Sequence, residues 1–438
     1  MIYGFDPSSV PRFVFSIPII GDLWWFWIFW VLLFSSLYLW LSYIQEFYKR
    51  SIPYIMLELR IPREVRKSPR AMEQVFMSIH GLRNSPNDIA EKWWEGEVTL
   101  WFSCELVSFG GDIHFYMRIP KKHRNLIEAA LYAQYSDIEL AEVTEDYIHR
   151  LPATVKELRQ NNYELFGNEL RLAKEDAYPI RTYVDFEAPD EERQLDPISS
   201  MLEVLAKLKP AEICWIQILI RPTDDSWKEA NETLVEELKE KMATRRYETE
   251  GGGIVMVQRT PGEVEVIEAV ERNLQKPGFE SLIRYIYTAP KEIYGDTFPR
   301  RGVYGAFNQY ATEHLNKFAH NTKAWTRTKF WHWPHLFPKK RQRARQERIF
   351  QYYRERRMFD ETTLGAILRI RPFHWYVGAQ KLGKMVLNVE ELATIFHPPM
   401  FLVLTGPLIK SVESRKIGPP AGLPIYGEEG EEKLPGIK

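Results

Sequence analysis

Hydrophobic and polar positions change rhythm several times along the chain, and each change predicts an element. Residues 23–44 read LWWFWIFWVLLFSSLYLWLSYI, 22 residues without a charge. At about 1.5 Å per residue such a helix is about 33 Å long, enough to cross a hydrocarbon core of roughly 30 Å. Trp24, Trp25, Trp27, Trp30, Tyr38, Trp40 and Tyr43 place aromatics toward both ends, as interfacial belts require. A soluble core helix rarely runs this long without a polar face. A cleaved leader would be shorter and more basic at its start, and here Arg12 is the only preceding cation. The pattern predicts an extracytoplasmic tail over 1–22 and one uncleaved transmembrane helix over 23–44.

Beyond the span the period drops to two. Residues 54–61 (YIMLELRI) predict a strand closed by Pro62. Ser68-Pro69 opens a helix with Met72, Val75, Phe76 and Ile79 on one face. Residues 98–107 and 112–119 predict two strands joined at Phe109-Gly110-Gly111, a hairpin signal. Residues 121–134 return to helical spacing, and 138–143 give a short strand. The order β-α-β-β-α-β predicts a ferredoxin-like α+β module over 54–145. A polar connector over 146–178 precedes a second α/β module over 179–415. Its expected strands cover 180–186, 213–220, 279–288 and 400–404, and its helices 197–208, 227–242, 263–274 and 303–318. Residues 244–253 read as a loop, and 416–438 as a Pro/Gly/Glu-rich tail without a packed core.

Composition changes this picture only where averages hide segregation. The chain has 58 basic and 59 acidic residues, a net charge of −1, and a mean hydropathy of −0.35. Yet residues 46–70 carry seven basic residues against three acidic, and residues 321–357 carry twelve against Glu347 and Glu355. Arg12 precedes the span with Asp6 and Asp22, whereas Lys49, Arg50, Arg60, Arg63, Arg66, Lys67 and Arg70 follow it. The positive-inside rule then puts the N-terminus outside and the bulk in the cytoplasm of a cell with this inner-membrane protein. Cys104 and Cys214 are the only cysteines and lie in apolar runs, which excludes a disulfide scaffold and predicts reduced core residues.

The basic aromatic insertion over 321–360 carries the candidate binding residues: Lys339, Lys340, Arg341, Arg343, Arg345, Arg348, Arg354, Arg356 and Arg357, with Trp331 and Trp333. Three readings compete: a solvated basic element, a membrane-surface element with aromatics at the headgroups, and a nucleic-acid contact using cations and stacking. Catalytic patterns are negative. GAQKLGKM over 378–385 fits GxxxxGK but has Met385 where a hydroxyl should reach magnesium. His332 and His335 are separated by a sequence containing Pro334, and Gly251-Gly252-Gly253 lacks a strand-to-helix context. No catalytic, cofactor or metal residue is named, and a non-enzymatic chain is expected.

Five segments carry a resemblance: MLELRIPREVRKSPRAMEQVF from Met56, FGGDIHFYMRIPKKHRNLIEAALYAQYSDIEL from Phe109, KPGFESLIRYIYTAPKE from Lys276, LNVEELATIFHPP from Leu387 and SVESRKIGPPAGLPI from Ser411. Together they resemble the membrane-anchored N-terminal region of type IV secretion and conjugation-type (HerA/FtsK-like) ATPases. The resemblance covers most of residues 23–425, and its motifs are structural. In that family a P-loop motor follows this region, and the motor's ATP-binding residues have no counterparts in this sequence. The resemblance therefore implies a membrane-anchored scaffold or accessory subunit of a secretion-like or DNA-translocating assembly. The alternative is one half of a split ATPase, active only with a P-loop partner. Implied partners are membrane lipid and a HerA/FtsK-like ATPase or further copies of the chain, with nucleic acid the competing ligand of the basic stretch.

Overall fold

Alternation of side chains across the pleat sets nine of the described strands into one sheet. The computed structural model describes residues 24–400, apart from 63–64, 66, 87, 188–194, 242–244, 249–253, 258–259, 332–334 and 360–382. The expected tail over 1–22, Gly251-Gly252-Gly253, His332, Trp333, residues 401–404 of the last expected strand and the tail over 416–438 lie outside the described residues. The architecture is mixed α and β, with an apolar N-terminal helix and an antiparallel sheet.

Helix α1 (Trp24–Ser51) is long and apolar enough to cross a membrane. It leads into β1 (Tyr54–Arg60), α2 (Arg70–His80), β2 (Phe102–Phe109), β3 (Asp112–Pro120), α3 (Arg124–Gln134) and β4 (Glu139–Glu142). These four strands lie in the order β4-β1-β3-β2, all antiparallel. The β2–β3 turn depends on Gly111, at φ 98°, where an added Cβ would stand 2.7 Å from the Ala206 carbonyl oxygen.

The second half repeats the plan. β5 (Tyr163–Leu172), α5 (Ser199–Ala206), β6 (Ile213–Pro222), β9 (Gly278–Pro290), α8 (Thr297–Asn308) and β10 (Phe318–His320) give the order β10-β5-β9-β6. Between β6 and β9 lie α6 (Ser226–Lys241), the hairpin β7 (Arg245–Glu248) with β8 (Ile254–Val257), and α7 (Pro261–Gln275). The two halves join where β2 pairs β6, from Phe102↔Ile220 to Phe109↔Ile213. Both strands are almost wholly buried, so neither half presents that edge to water and the halves share one continuous sheet. β11 (Met385–Asn388) adds to β9.

One face of the sheet is covered by helices. Met72, Val75, Phe76 and Ile79 of α2, Ile127 and Leu131 of α3, Met201, Leu202 and Leu205 of α5, and Val303 and Phe307 of α8 share a single core with Leu57, Cys104, Phe115, Cys214 and Ile283. The cysteines are free and fully buried, and burial pushes the Cys214 thiol up to about 12. The opposite face is covered by α9 (Pro338–Arg354), whose Ile349, Phe350 and Tyr353 pack on Met56, Val107, Leu165, Trp215 and Ile286.

Several expectations differ from this arrangement. Residues 146–178, read as a connector, hold a 3-10 turn (Tyr147–Arg150), helix α4 (Val155–Gln160) and the interior strand β5. Residues 180–186 form no strand: Ile180 N donates to Glu391 Oε1 (2.9 Å), Arg181 N to Tyr310 O (2.9 Å) and Tyr183 N to Thr394 Oγ1 (2.9 Å), so another layer satisfies that backbone. The expected loop over 244–253 contributes β7. Met385, the eighth position of the P-loop-like run, opens β11, and Lys384 pairs with Glu280 at 2.5 Å.

α10 (Val389–Ile395) closes the helical layer through a capping box between Asn388 and Glu391. Burial pushes the Glu391 carboxyl up to about 8, against hydrogen bonds from the Asn388 and Ile180 amides. A folded value above the ordinary carboxylate value contributes stability that is complete at low pH and lost as pH rises through the folded value. Thermal stability is expected to fall between about pH 5 and pH 8, and Glu391→Gln to flatten that part of the profile; an unchanged slope in the variant would refute the assignment.

Candidate functional site

Polar residues punctuate the largely buried strands, and the register lines one from each of six strands up in a row. Glu58 faces Tyr116, Tyr116 faces Glu105, Glu105 faces Gln217, Gln217 faces Arg284 and Arg284 faces Glu169. A single polar row therefore crosses six strands, on the face that α9 covers. Unpaired polar groups in such a place would each cost about 1–3 kcal/mol, and the segment at the C-terminal end of α9 supplies much of their pairing.

Arg356 is the centre of that pairing. It is almost fully buried and sits at φ 47°, a left-handed conformation rare for a side-chain-bearing residue. Its Nε donates to Glu105 Oε1 (2.8 Å) and its Nη2 to Glu105 Oε2 (3.1 Å), while Nη1 donates to Asp146 Oδ2 (2.6 Å). Glu105 also accepts from Ser103 Oγ (2.5 Å), Tyr147 Oη (2.7 Å) and Gln217 Nε2 (3.0 Å). Burial raises the Glu105 carboxyl, but the Arg356 charge and these donors outweigh it and hold Glu105 below the usual carboxylate range. Asp146 is likewise held low against its burial. Arg284, wholly buried, donates to the carbonyls of Tyr352 (2.9 Å) and Arg357 (3.1 Å) and pairs with Glu169 at 3.4 Å. The Trp215 ring lies 4.8 Å from Tyr147 and 5.7 Å from Tyr353.

The residues read from the sequence as ligand contacts divide sharply. Arg341, Arg348 and Arg356 are buried. Arg345 Nη1 donates to Thr322 O (3.2 Å) and Trp325 O (2.8 Å), and Arg348 Nη2 to Lys323 O (3.2 Å). Arg354 Nη1 gathers the carbonyls of Ile148, Leu151 and Pro152 at 2.9–3.2 Å. Arg357 is half-buried beside Glu355 at 3.6 Å. Apart from Arg357, which also lines a cleft at the foot of α1, these arginines hold the chain's own carbonyls and carboxylates, so in this conformation they do not form a ligand surface; a guanidinium fork satisfies loop carbonyls that no strand pairs. Lys339, Lys340, Arg343 and Trp331 do face solvent. Lys329 Nζ lies 4.6 Å from the Trp331 ring and Lys340 Nζ 5.0 Å from Phe337. Phe330 and Leu336, both more than 60% exposed, stand in the same segment. Glu105, Asp146, Tyr147, Gln217 and Arg284 were not singled out from the sequence, although a single charge inside a run such as SLIRYIYT is a visible signal.

A different polar cluster lies where α1 meets the body. Leu41, Ile44 and Gln45 are buried there. Trp40 Nε1 donates to Trp93 O (2.9 Å), and Gly96, at φ 69°, approaches so closely that a Cβ would stand 2.6 Å from the Ile44 carbonyl carbon. Beneath this junction a cleft of about 510 Å³ is lined by Lys49, Arg50, Tyr54, Arg118, Glu355 and Arg357, among others.

The sequence profile of a family described as a domain of unknown function, DUF8128, matches residues 42–397. The chain belongs to that family. Comparison with curated proteins gives no match. The DUF8128 match takes in both halves of the sheet, the polar row, α9 and the Ile44–Gly96 junction, and begins within α1. What DUF8128 thereby encompasses is the body together with the residues on which the apolar helix is seated.

Proposed function

We propose that this DUF8128 chain is a membrane-anchored scaffold of a type IV secretion-like or DNA-translocating assembly. In this reading α1 crosses the bilayer once, its N-terminus is outside, and the body is cytoplasmic at an inner membrane. The observation that carries it is the seating of α1. An exposed apolar surface from Trp25 to Phe47 passes without a break into residues buried against the body. A helix fixed in this way sets the attitude of the body relative to the bilayer, which a flexible tether does not.

Lys49 and Arg50 in the last turn of α1, followed by Arg60 and Arg70, support the orientation. The strand order β4-β1-β3-β2 supports a ferredoxin-like reading of the first module, and β10-β5-β9-β6 extends the same reading to the second. The partner class comes from the sequence resemblance: a HerA/FtsK-like motor would dock on the body, whose polar interior serves rigidity. Photo-crosslinkers at exposed sites such as Tyr132 on α3 and Lys339 on α9, activated in native membranes, are expected to capture a P-loop motor. Repeated recovery of other proteins without any motor would sink the proposal.

A further inference from the structure

The cleft at the foot of α1 contains a cation with the Glu105 and Asp146 charges nearby but no hydrogen-bond acceptor of its own among the described residues. Arg118 lies on β3 opposite Ser103, on the polar face of the sheet. Its guanidinium rests over the Tyr54 ring at 3.8 Å. Among the described residues no carboxylate or carbonyl accepts from it: the nearby carboxylates of Glu105 and Asp146 accept from Arg356, and Ser103 Oγ turns its proton to Glu105. Glu46 pairs with Arg50 at 3.2 Å and Glu355 with Arg357 at 3.6 Å, so the cleft's two carboxylates also have cations. The Tyr54 hydroxyl is buried without a hydrogen-bond partner. Burial, with the Arg356 charge behind it, pushes the Arg118 guanidinium down to about 10. A half-buried guanidinium without an acceptor, next to a buried orphan hydroxyl, leaves donors that an anion would satisfy.

We propose that this cleft binds a phosphate-bearing anion, with Arg118 as the charge-assisted donor and the Tyr54 hydroxyl as a further donor. Stacking on Tyr54 occupies the face of the guanidinium and leaves its in-plane N–H groups for phosphate oxygens. Four cations against two carboxylates make the cleft electropositive. Its volume falls within the range of small-ligand sites. Its place beside Lys49 and Arg50, at the end of the apolar helix, favours the headgroup of an anionic phospholipid. That choice of source rests on α1 being a membrane anchor; the anion chemistry itself does not.

The test is thermal unfolding of the full chain in three settings: phosphatidylcholine nanodiscs, the same discs containing phosphatidylglycerol, and phosphatidylcholine discs with inorganic phosphate in the buffer. At a tenfold excess over Kd the wild type is expected to gain about 2 °C. A gain with phosphatidylglycerol alone assigns the site to lipid, and a gain with inorganic phosphate alone assigns it to a soluble phosphate compound. Arg118→Gln should lose the gain while matching or exceeding the wild-type Tm in plain phosphatidylcholine, because it removes an unpaired cation. A purely structural arginine would instead lower the Tm in every setting. Should that variant fail to fold, Arg118→Lys keeps the charge without the fork and should retain only part of the gain. Lys339→Gln, outside the cleft, should keep all of it. Equal gains in wild type and Arg118→Gln, or no gain with either anion, overturn the proposal. Alkaline carbonate extraction separates this from the anchor reading: release of the chain from membranes refutes the anchor, and the phosphate setting, run in detergent, still tests the cleft.

Discussion

Replacing Arg356 by Met is expected to lower the unfolding free energy by about 3–5 kcal/mol, measured by chemical denaturation of the full chain in detergent. The magnitude comes from what stays behind. Glu105, fully buried, and Asp146, partly buried, would lose their common counter-charge, while the burial that opposes their ionisation would persist. Combining Arg356→Met with Glu105→Gln should recover part of the loss, because the central uncompensated charge is then gone. The pH dependence follows with a definite sign. Both carboxyls titrate below their ordinary values of 4.5 and 3.8 in the folded protein. Their contribution is therefore present above about pH 4.5 and lost as pH falls through the folded values, and the variant should lose this acid-side slope. A variant as stable as the wild type would mean that Arg356 does not fasten α9 and the segment after it to the sheet.

The second large effect is expected at the foot of the anchor. Gly96→Ala places a Cβ 2.6 Å from the Ile44 carbonyl carbon and 2.8 Å from the Gln45 nitrogen, both backbone atoms that cannot swing aside. The left-handed backbone adds about 1–2 kcal/mol and the overlap about 1–3 kcal/mol, together about 2–5 kcal/mol. Because the contact joins α1 to one turn of the body, the loss should be local: the 40–48 stretch separates from residues 91–97 while the sheet stays folded. Trypsin cleavage after Lys49 or Arg50 is expected to speed up roughly tenfold or more, with the Tm of the body little changed. Unchanged cleavage would show that the junction does not hold the helix.

How legible these features were depends on where each backbone group found its partner. Residues 54–61 and 112–119, the hairpin at Gly110-Gly111 and the apolar run in β6 could be read directly, because side-chain period and turn chemistry are local properties. β5 was concealed by Glu164, Asn168 and Glu169, which look like a connector until neighbouring chain takes up their polar groups. Residues 180–186 showed the opposite error, an apolar stretch whose amides are claimed by Glu391, Thr394 and Tyr310 rather than by a strand. The basic segment was legible as a helix rich in arginine, but not as a helix whose arginines turn inward.

The sequence by itself determined an apolar helix of membrane-crossing length, the positive residues after it, and the strand and helix order of the first half. These follow from composition and period, which need no knowledge of distant partners. Tertiary structure alone decided that the two halves share one sheet through β2 and β6, and that a polar row crosses six strands beneath α9. It also decided which cations are compensated. Charge along a sequence is a sum over residues, whereas compensation is a matter of distances between residues far apart in the chain. Arg356, 251 residues from Glu105, is neutralised within 3 Å, and Arg118, beside the same carboxylate, has no acceptor among the described residues.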